Sequence, residues 1–198
     1  MKPKVLILTQ KPLHKAPRVF KEIEALKGIF EIHTVGITPS KKEEQFFFIK
    51  KLPVKKKILR SFFLLIRWYE KFYWDVYRHD LVQRMKGKEY DLIIAHDEDV
   101  LPIALKISNG ANVVLNAHEY LPEESSHLIL WRWLMKPYIE YLCRTYSAHT
   151  DLVLTVNESI SKLYTDNFNL KCTPVYNASG YVECNPVAVQ NPVRIIHH

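Results

Sequence analysis

Apolar residues along this chain fall in short runs, each ending in polar residues and most followed by a stretch of helical periodicity. "KVLIL" (4–8) is a five-residue apolar run that stops at Thr9, Gln10 and Lys11, the form of a strand buried on both faces. "APRVFKEIEALKG" (16–28) then spaces Val19, Ile23 and Leu26 at i, i+4 and i+7, a helical stripe closed by Gly28. "FEIHTVGI" (30–37) alternates like a second strand, so the opening reads as a βαβ unit and predicts a parallel sheet. The unit repeats. "DLIIA" (91–95) predicts a strand, and "VLPIALKIS" (100–108) a helix expected to start in the acidic run 97–99. "NVVLN" (112–116) predicts another strand, and "LILWRWLMKPYIEYLCRTYS" (128–147) is helical on either side of Pro137, which should kink or break it. "DLVLTV" (151–156) follows as a strand, with Asn157 capping "ESISKLYTDNF" (158–168), and "TPVYNA" (173–178) is a last short strand.

This alternation predicts an α/β domain: a doubly wound, mostly parallel Rossmann-like sheet with helices on both faces. "PVRIIHH" (192–198) reads as the first strand of a further unit. The chain is therefore expected to divide into a Rossmann-like domain, 1–185, and a linker with the first strand of a truncated second domain, 186–198. The competing reading makes His197 and His198 the start of a tag.

Composition narrows the class. The 198 residues are 47% hydrophobic and 25% charged, enough for one domain with its own core. Three cysteines, Cys143, Cys172 and Cys184, lie far apart without a ligand spacing, which points to a reduced, cytosolic chain. No secretory signal and no apolar run of membrane-spanning length is visible. The net charge of +7 is local. Between residues 41 and 79 eleven Lys and Arg face four acids, whereas elsewhere 17 basic residues match 17 acidic ones. That segment interleaves cations with large apolar residues (46–74, "FFFIKKLPVKKKILRSFFLLIRWYEKFYW"), a combination suited to an anionic membrane interface. The docking residues would be Lys50, Lys51, Lys55, Lys56, Lys57 and Arg60. The bland alternative is a solvated basic loop before a core helix, 58–85, with buried aromatics. Nucleic acid is not an expected partner, because no recognition module accompanies the charge.

Ligands of open parallel sheets bind at the carboxyl ends of the strands. There the sequence places His96, Asp97 and Asp99 after one strand, His118 and Glu119 after another, and Asn157 and Ser159 after a third. For Asp99, and for Asn157 with Glu158, helix capping explains the residue type. A histidine beside a carboxylate at two such strand ends instead suggests a site, with acid, base or hydrogen-bonding chemistry available to His118. No metal site is read, since these adjacencies are not chelating spacings. The first turn, "TQKPLHKAPR" (9–18), has no glycine, so this half is not expected to hold a dinucleotide.

Taken in order, "APRVFKEIEAL", "YDLIIAHDEDVLPIAL", "NVVLNAHEYLPEE", "DLVLTVNESISKLY" and "TPVYNAS" resemble the N-terminal, acceptor-binding domain of family-four-like (group 1) glycosyltransferases with the GT-B architecture. The resemblance implies two Rossmann-like halves facing across a cleft, this chain being the N-terminal one. It implies transfer of a sugar from a nucleotide-sugar to a lipid-linked glycan acceptor in surface polysaccharide synthesis, retaining and metal-independent, at the cytoplasmic face of the cell membrane. His118 with Glu119 matches the family's "HE", His96, Asp97 and Asp99 its "HD" loop, and Asn157 to Ser159 the segment before the next helix. Arg18 matches the arginine opening the first helix. His118 would be the catalytic residue and the others would bind substrate. The donor would be held by the protein's own C-terminal domain and not by this one, so this chain is not expected to turn over alone. Two alternatives stay open: a non-catalytic, membrane-docked binding module, and a sugar-nucleotide epimerase of the same architecture.

Overall fold

The computed structural model describes residues 2–13, 16–50, 53–178 and 183. Fourteen elements alternate along the chain: β1 (Lys4–Leu8), α1 (Pro17–Leu26), β2 (Glu31–Gly36), β3 (Gln45–Phe48), α2 (Val54–Leu65), α3 (Tyr69–Tyr73), α4 (Val76–Met85), β4 (Leu92–His96), α5 (Leu101–Ile107), β5 (Asn112–Ala117), α6 (Ile129–Tyr146), β6 (Leu152–Thr155), α7 (Glu158–Phe168) and β7 (Cys172–Pro174). The strands form one sheet in the order β3-β2-β1-β4-β5-β6-β7, every pair parallel. The expected doubly wound architecture is therefore present, and the sheet is parallel throughout the described residues.

Side-chain alternation builds two cores. Val5, Ile7, Ile32 and Ile94 face Val19 and Ile23 of α1 on one side of the sheet. Leu6, Leu8, Ile93, Ala95, Val113 and Leu115 face the other side, where α4, α5, α6 and α7 pack. The central strands β1 and β4 are thus buried on both faces, which is why they read as unbroken apolar runs. The chain winds outward from β1 to β3, returns to pair β4 with β1, and then winds the other way. This reversal, between β1 and β4, opens a crevice at the carboxyl edge.

Several local expectations change. The basic segment hides β3, whose four residues carry too little alternation to stand out beside so many charges. The single helix expected over 58–85 is three helices. Arg67, at φ 57°, ends the first, and Asp75 caps the third by accepting from the backbone N–H of Tyr77 and Arg78. Asp99 does not cap α5, because the N-cap position falls on Val100 and has no side-chain bond. Pro137 lies inside an unbroken α6, held by the buried Tyr138, Ile139, Leu142 and Cys143. Asn157 does cap α7, its Oδ1 accepting from Ile160 N–H at 2.8 Å. The boundary expected at residue 185, the strand in 192–198, Cys184 and Lys51 lie outside the described residues.

Candidate active site at the switch point

The strand ends at the reversal bring the two histidines together. His96 closes β4 and His118 follows β5, and the register pairs His96 with Asn116. Parallel pairing puts both imidazoles at one level of the same edge, with His96 Nδ1 2.9 Å from His118 Nε2. Both residues are buried. From α1, Glu22 Oε2 stands 2.8 Å from His96 Nε2, close enough for charge pairing although not aligned as a hydrogen bond. One turn earlier on the same helix, Arg18 donates to the carbonyl of His118 at 3.2 Å. The i, i+4 spacing of Arg18 and Glu22 places both on one face of α1.

Asp97 makes the turn between strand and site. It takes φ 68°, a left-handed conformation that Asp tolerates better than most residues, and its N–H donates to Asn116 O at 3.1 Å. Its carboxylate accepts from His118 N–H at 3.2 Å and lies 3.4 Å from Lys11 Nζ. Lys11 follows β1, so this ion pair spans the reversal point itself.

Electrostatics set the protonation states. Burial pulls the His118 imidazolium down to about 4; Asp97 opposes the shift, while His96, Arg18 and Lys11 add to it. His118 is therefore neutral at pH 7. With Glu22 facing His96 Nε2, the proton of His96 is favoured on that nitrogen. Its Nδ1 then accepts from His118 Nε2–H, leaving Nδ1 of His118 as an acceptor.

Beneath this layer lies Glu98, fully buried. Burial pushes its carboxyl up to about 8, against the bond from Tyr164 and with a contribution from Asp97. The Tyr164 hydroxyl, with one proton to give, lies 2.5 Å from Glu98 Oε1 and 3.1 Å from Glu119 O, and Cys143 Sγ lies 3.8 Å from Oε1. Glu98 Oε2 has no hydrogen-bond partner among the described residues. Asp99 is enclosed more than its half-exposed surface suggests. Burial raises its carboxyl, and its carbonyl accepts from Gln10 and Tyr73.

Of the residues expected from sequence, His118, His96, Asp97 and Arg18 converge. Glu119 turns its side chain to solvent and contributes its carbonyl; Asn157 is occupied as a cap, and Ser159 is exposed on the first turn of α7. Lys11 and Glu98 also converge; the sequence places them at the strand ends without marking them as site residues, and Glu22 it missed altogether. Glu22 sits four residues after Arg18, a same-face spacing that could have flagged it. Among the described residues no cluster of His, Cys, Asp or Glu is arranged to hold a metal ion.

This fold recurs in solved structures. Anabaena Alr3699/HepE in complex with UDP-glucose is similar over 89% of this chain and 44% of its own, at 13% identity and a TM-score of 0.55. Arabidopsis thaliana UGT89C1 complexed with UDP-L-rhamnose is similar over 85% of this chain and 50% of its own, at 11% identity and a TM-score of 0.52. These neighbours are GT-B glycosyltransferases. The fold is Rossmann-like and corresponds to about half of each of these structures. The chain spans about half the length of the solved structures it matches. No protein-family model and no curated protein matches it.

Proposed function

We propose that this chain is the N-terminal, acceptor-binding half of a GT-B glycosyltransferase of the family-four-like kind, which passes a sugar from a nucleotide-sugar to a glycan acceptor. The observation that carries this reading is the buried His96–His118 pair at the switch point, held by Glu22 and Arg18 of α1. In the reaction the bond from the sugar to the nucleotide diphosphate breaks and one to the acceptor oxygen forms. A histidine as hard to protonate as His118 is a poor final store for the acceptor's proton. We therefore propose that the proton leaves with the diphosphate; the retaining, metal-independent course is proposed from the family resemblance of the sequence. His118 then hydrogen-bonds the reacting sugar or hydroxyl, and Glu22 and His96 fix its tautomer.

The acceptor is proposed to be lipid-linked, met at the cytoplasmic face of the membrane during surface polysaccharide synthesis. Val54, Ile58, Phe62 and Leu65 form a stripe along α2 that faces solvent, each more than half exposed. Leu128, Ile129, Leu130 and Trp133 do the same at the start of α6, which touches α2. Lys55, Lys56 and Lys57 flank the stripe and are exposed. Apolar side chains beside cations complement an anionic bilayer. Arg60, by contrast, turns inward, donating to Phe72 O and pairing with Asp75. Among the described residues no helix is long and apolar enough to cross a membrane.

The test joins this chain to its donor-binding half. His118→Ala is expected to lower turnover roughly a hundredfold to a thousandfold with the fold intact. His118→Gln, which keeps a hydrogen-bonding group, should recover part of that loss. Unchanged turnover in His118→Ala would remove the residue from the mechanism.

A further inference from the structure

The carboxyl edge carries a concavity displaced from the histidines toward β3. It has a volume of about 260 Å³, and its polar lining is Gln10, Lys50, Lys57, Arg60, Asp75 and Arg78. Ile37 and Ile49 also line it; with Gln10 they stand just past the ends of β2, β3 and β1. Four cations thus meet one carboxylate at the edge where this fold binds ligands.

Asp75 is already committed. Its Oδ1 caps α4, and its Oδ2 takes Arg78 Nη1 at 2.9 Å and Arg60 Nη1 at 3.4 Å. Arg78 is 8% exposed, donates once more to Tyr73 O, and leaves its Nε buried with no partner. Among the described residues neither Lys50 nor Lys57 joins an ion pair, and both are exposed at the rim. Asp99 also acts on Arg78 and Arg60 electrostatically, yet positive charge remains in excess. The enclosed part of the network, Arg60 and Arg78 against Asp75 and Asp99, is close to balanced, so the excess lies with the exposed Lys50 and Lys57 at the rim, where it faces whatever enters the cavity. The guanidiniums are also preset: Arg60 lies over the Phe72 ring at 4.3 Å and Arg78 over Tyr73 at 4.5 Å.

We infer that this cavity is a phosphate-binding subsite that holds a phosphate or diphosphate group of the acceptor. Two fixed guanidiniums supply directional donors and two lysines at the rim supply mobile charge, the usual division of labour around phosphate. The volume is several times the ~30 Å³ that a water occupies, room for a diphosphate but not for a whole nucleotide-sugar. The same helix α2 serves both surfaces: Lys57 and Arg60 face the cavity while Ile58 and Phe62 face outward. A phosphate bound here would lie beside the proposed lipid surface. The inference rests on the glycosyl-transfer reading only in calling the ligand an acceptor.

The test is a titration of this chain, without donor, followed by NMR of the arginine Nε–Hε groups. The probes are inorganic phosphate, pyrophosphate, a hexose phosphate and a short prenyl diphosphate, with glucuronate as the carboxylate control. Pyrophosphate is expected to shift Arg60 and Arg78 saturably with a Kd of about 1 mM or tighter. The double variant Lys50→Ala/Lys57→Ala, at exposed positions that leave the core untouched, should weaken binding at least roughly tenfold, since it removes two charge-assisted contacts. Arg60→Gln should weaken it further. Tighter binding of the prenyl diphosphate marks a lipid-linked ligand, and tighter binding of the hexose phosphate a soluble one; both support the subsite. Absence of saturable shifts with every phosphate, equal affinity in the double variant, or glucuronate binding as well as pyrophosphate would each overturn it. Phosphate binding without turnover in the joined enzyme would count against glycosyl transfer alone. Turnover without phosphate binding would count against the subsite alone.

Discussion

Glu22 is the acidic side chain that meets the histidine pair from α1. Its carboxylate faces His96 Nε2, so it selects the tautomer that His96 presents to His118. Glu22→Gln removes that charge while keeping the shape. Turnover of the joined enzyme is expected to fall roughly tenfold to a hundredfold, as for other partners that orient a catalytic imidazole. The KM for acceptor should stay nearly unchanged. Imidazole nitrogen shifts should report a changed tautomer at His96, which a merely structural role for Glu22 would not produce. Glu98 makes a second case at this scale. Buried as the neutral acid, it holds its proton to about pH 8, whereas the unfolded chain gives it up near 4.5. The folded state therefore binds more protons between those values, and stability falls as pH rises through that window, by at most about 5 kcal/mol. Glu98→Gln keeps a neutral acceptor for Tyr164 and should flatten this slope, seen as a higher Tm at pH 8 with little change at pH 4.5.

At the scale of the element, α1 carries chemistry on one face and packing on another. Val19 and Ile23 are buried against Val5, Ile7 and Ile32, and this seating fixes where Arg18 and Glu22 reach. Ile23→Ala is expected to cost about 2–5 kcal/mol from the cavity it leaves. Turnover should fall more than the loss of folded protein explains, because Glu22 is then held less firmly. Denaturant unfolding and activity on the same samples check this. Helix α2 makes an independent claim. Ile58→Ser/Phe62→Ser alters side chains exposed at 70% and 54%, so stability should hardly move. The affinity for anionic vesicles read by flotation should drop roughly a hundredfold or more, since each buried apolar side chain contributes roughly 1.5–3 kcal/mol. Equal flotation of variant and parent would sink the membrane reading for this stripe.

For the whole molecule the two buried groups oppose each other. His118 stays neutral down to about pH 4 when folded but takes a proton near 6.5 when unfolded. Between those values the unfolded state binds more protons, so this contribution is lost as pH falls through the window, at most about 3 kcal/mol. Glu98 acts in the reverse direction from 4.5 to 8. Only the Glu98 slope remains above pH 6.5, and the protein is expected to lose stability from there to pH 8. Thermal unfolding of the parent, His118→Gln and Glu98→Gln across pH 4 to 8 separates the two.

The sequence by itself determined the parallel α/β class, because strands buried on both faces must be apolar throughout and α1 must show a helical stripe. It also marked His96, Asp97 and His118, since polar residues directly after buried strands lie at the sheet's edge, whereas Arg18 was marked only by the family resemblance. Tertiary structure decided the rest. Strand order set β4 beside β5 and brought two histidines 22 residues apart to 2.9 Å. Helix docking turned Glu22 toward them; the i, i+4 spacing puts it on the face of Arg18, but only the seating of α1 says what that face meets. Burial made Glu98 an acid that keeps its proton and Glu119 a solvent-facing side chain, though both sit beside site residues in sequence. The basic run 41–79 was legible as charge, but its division was not. Folding sent Lys55 and Lys56 outward and Arg60 and Arg78 inward, because only the packed helices determine which face of each turn meets water.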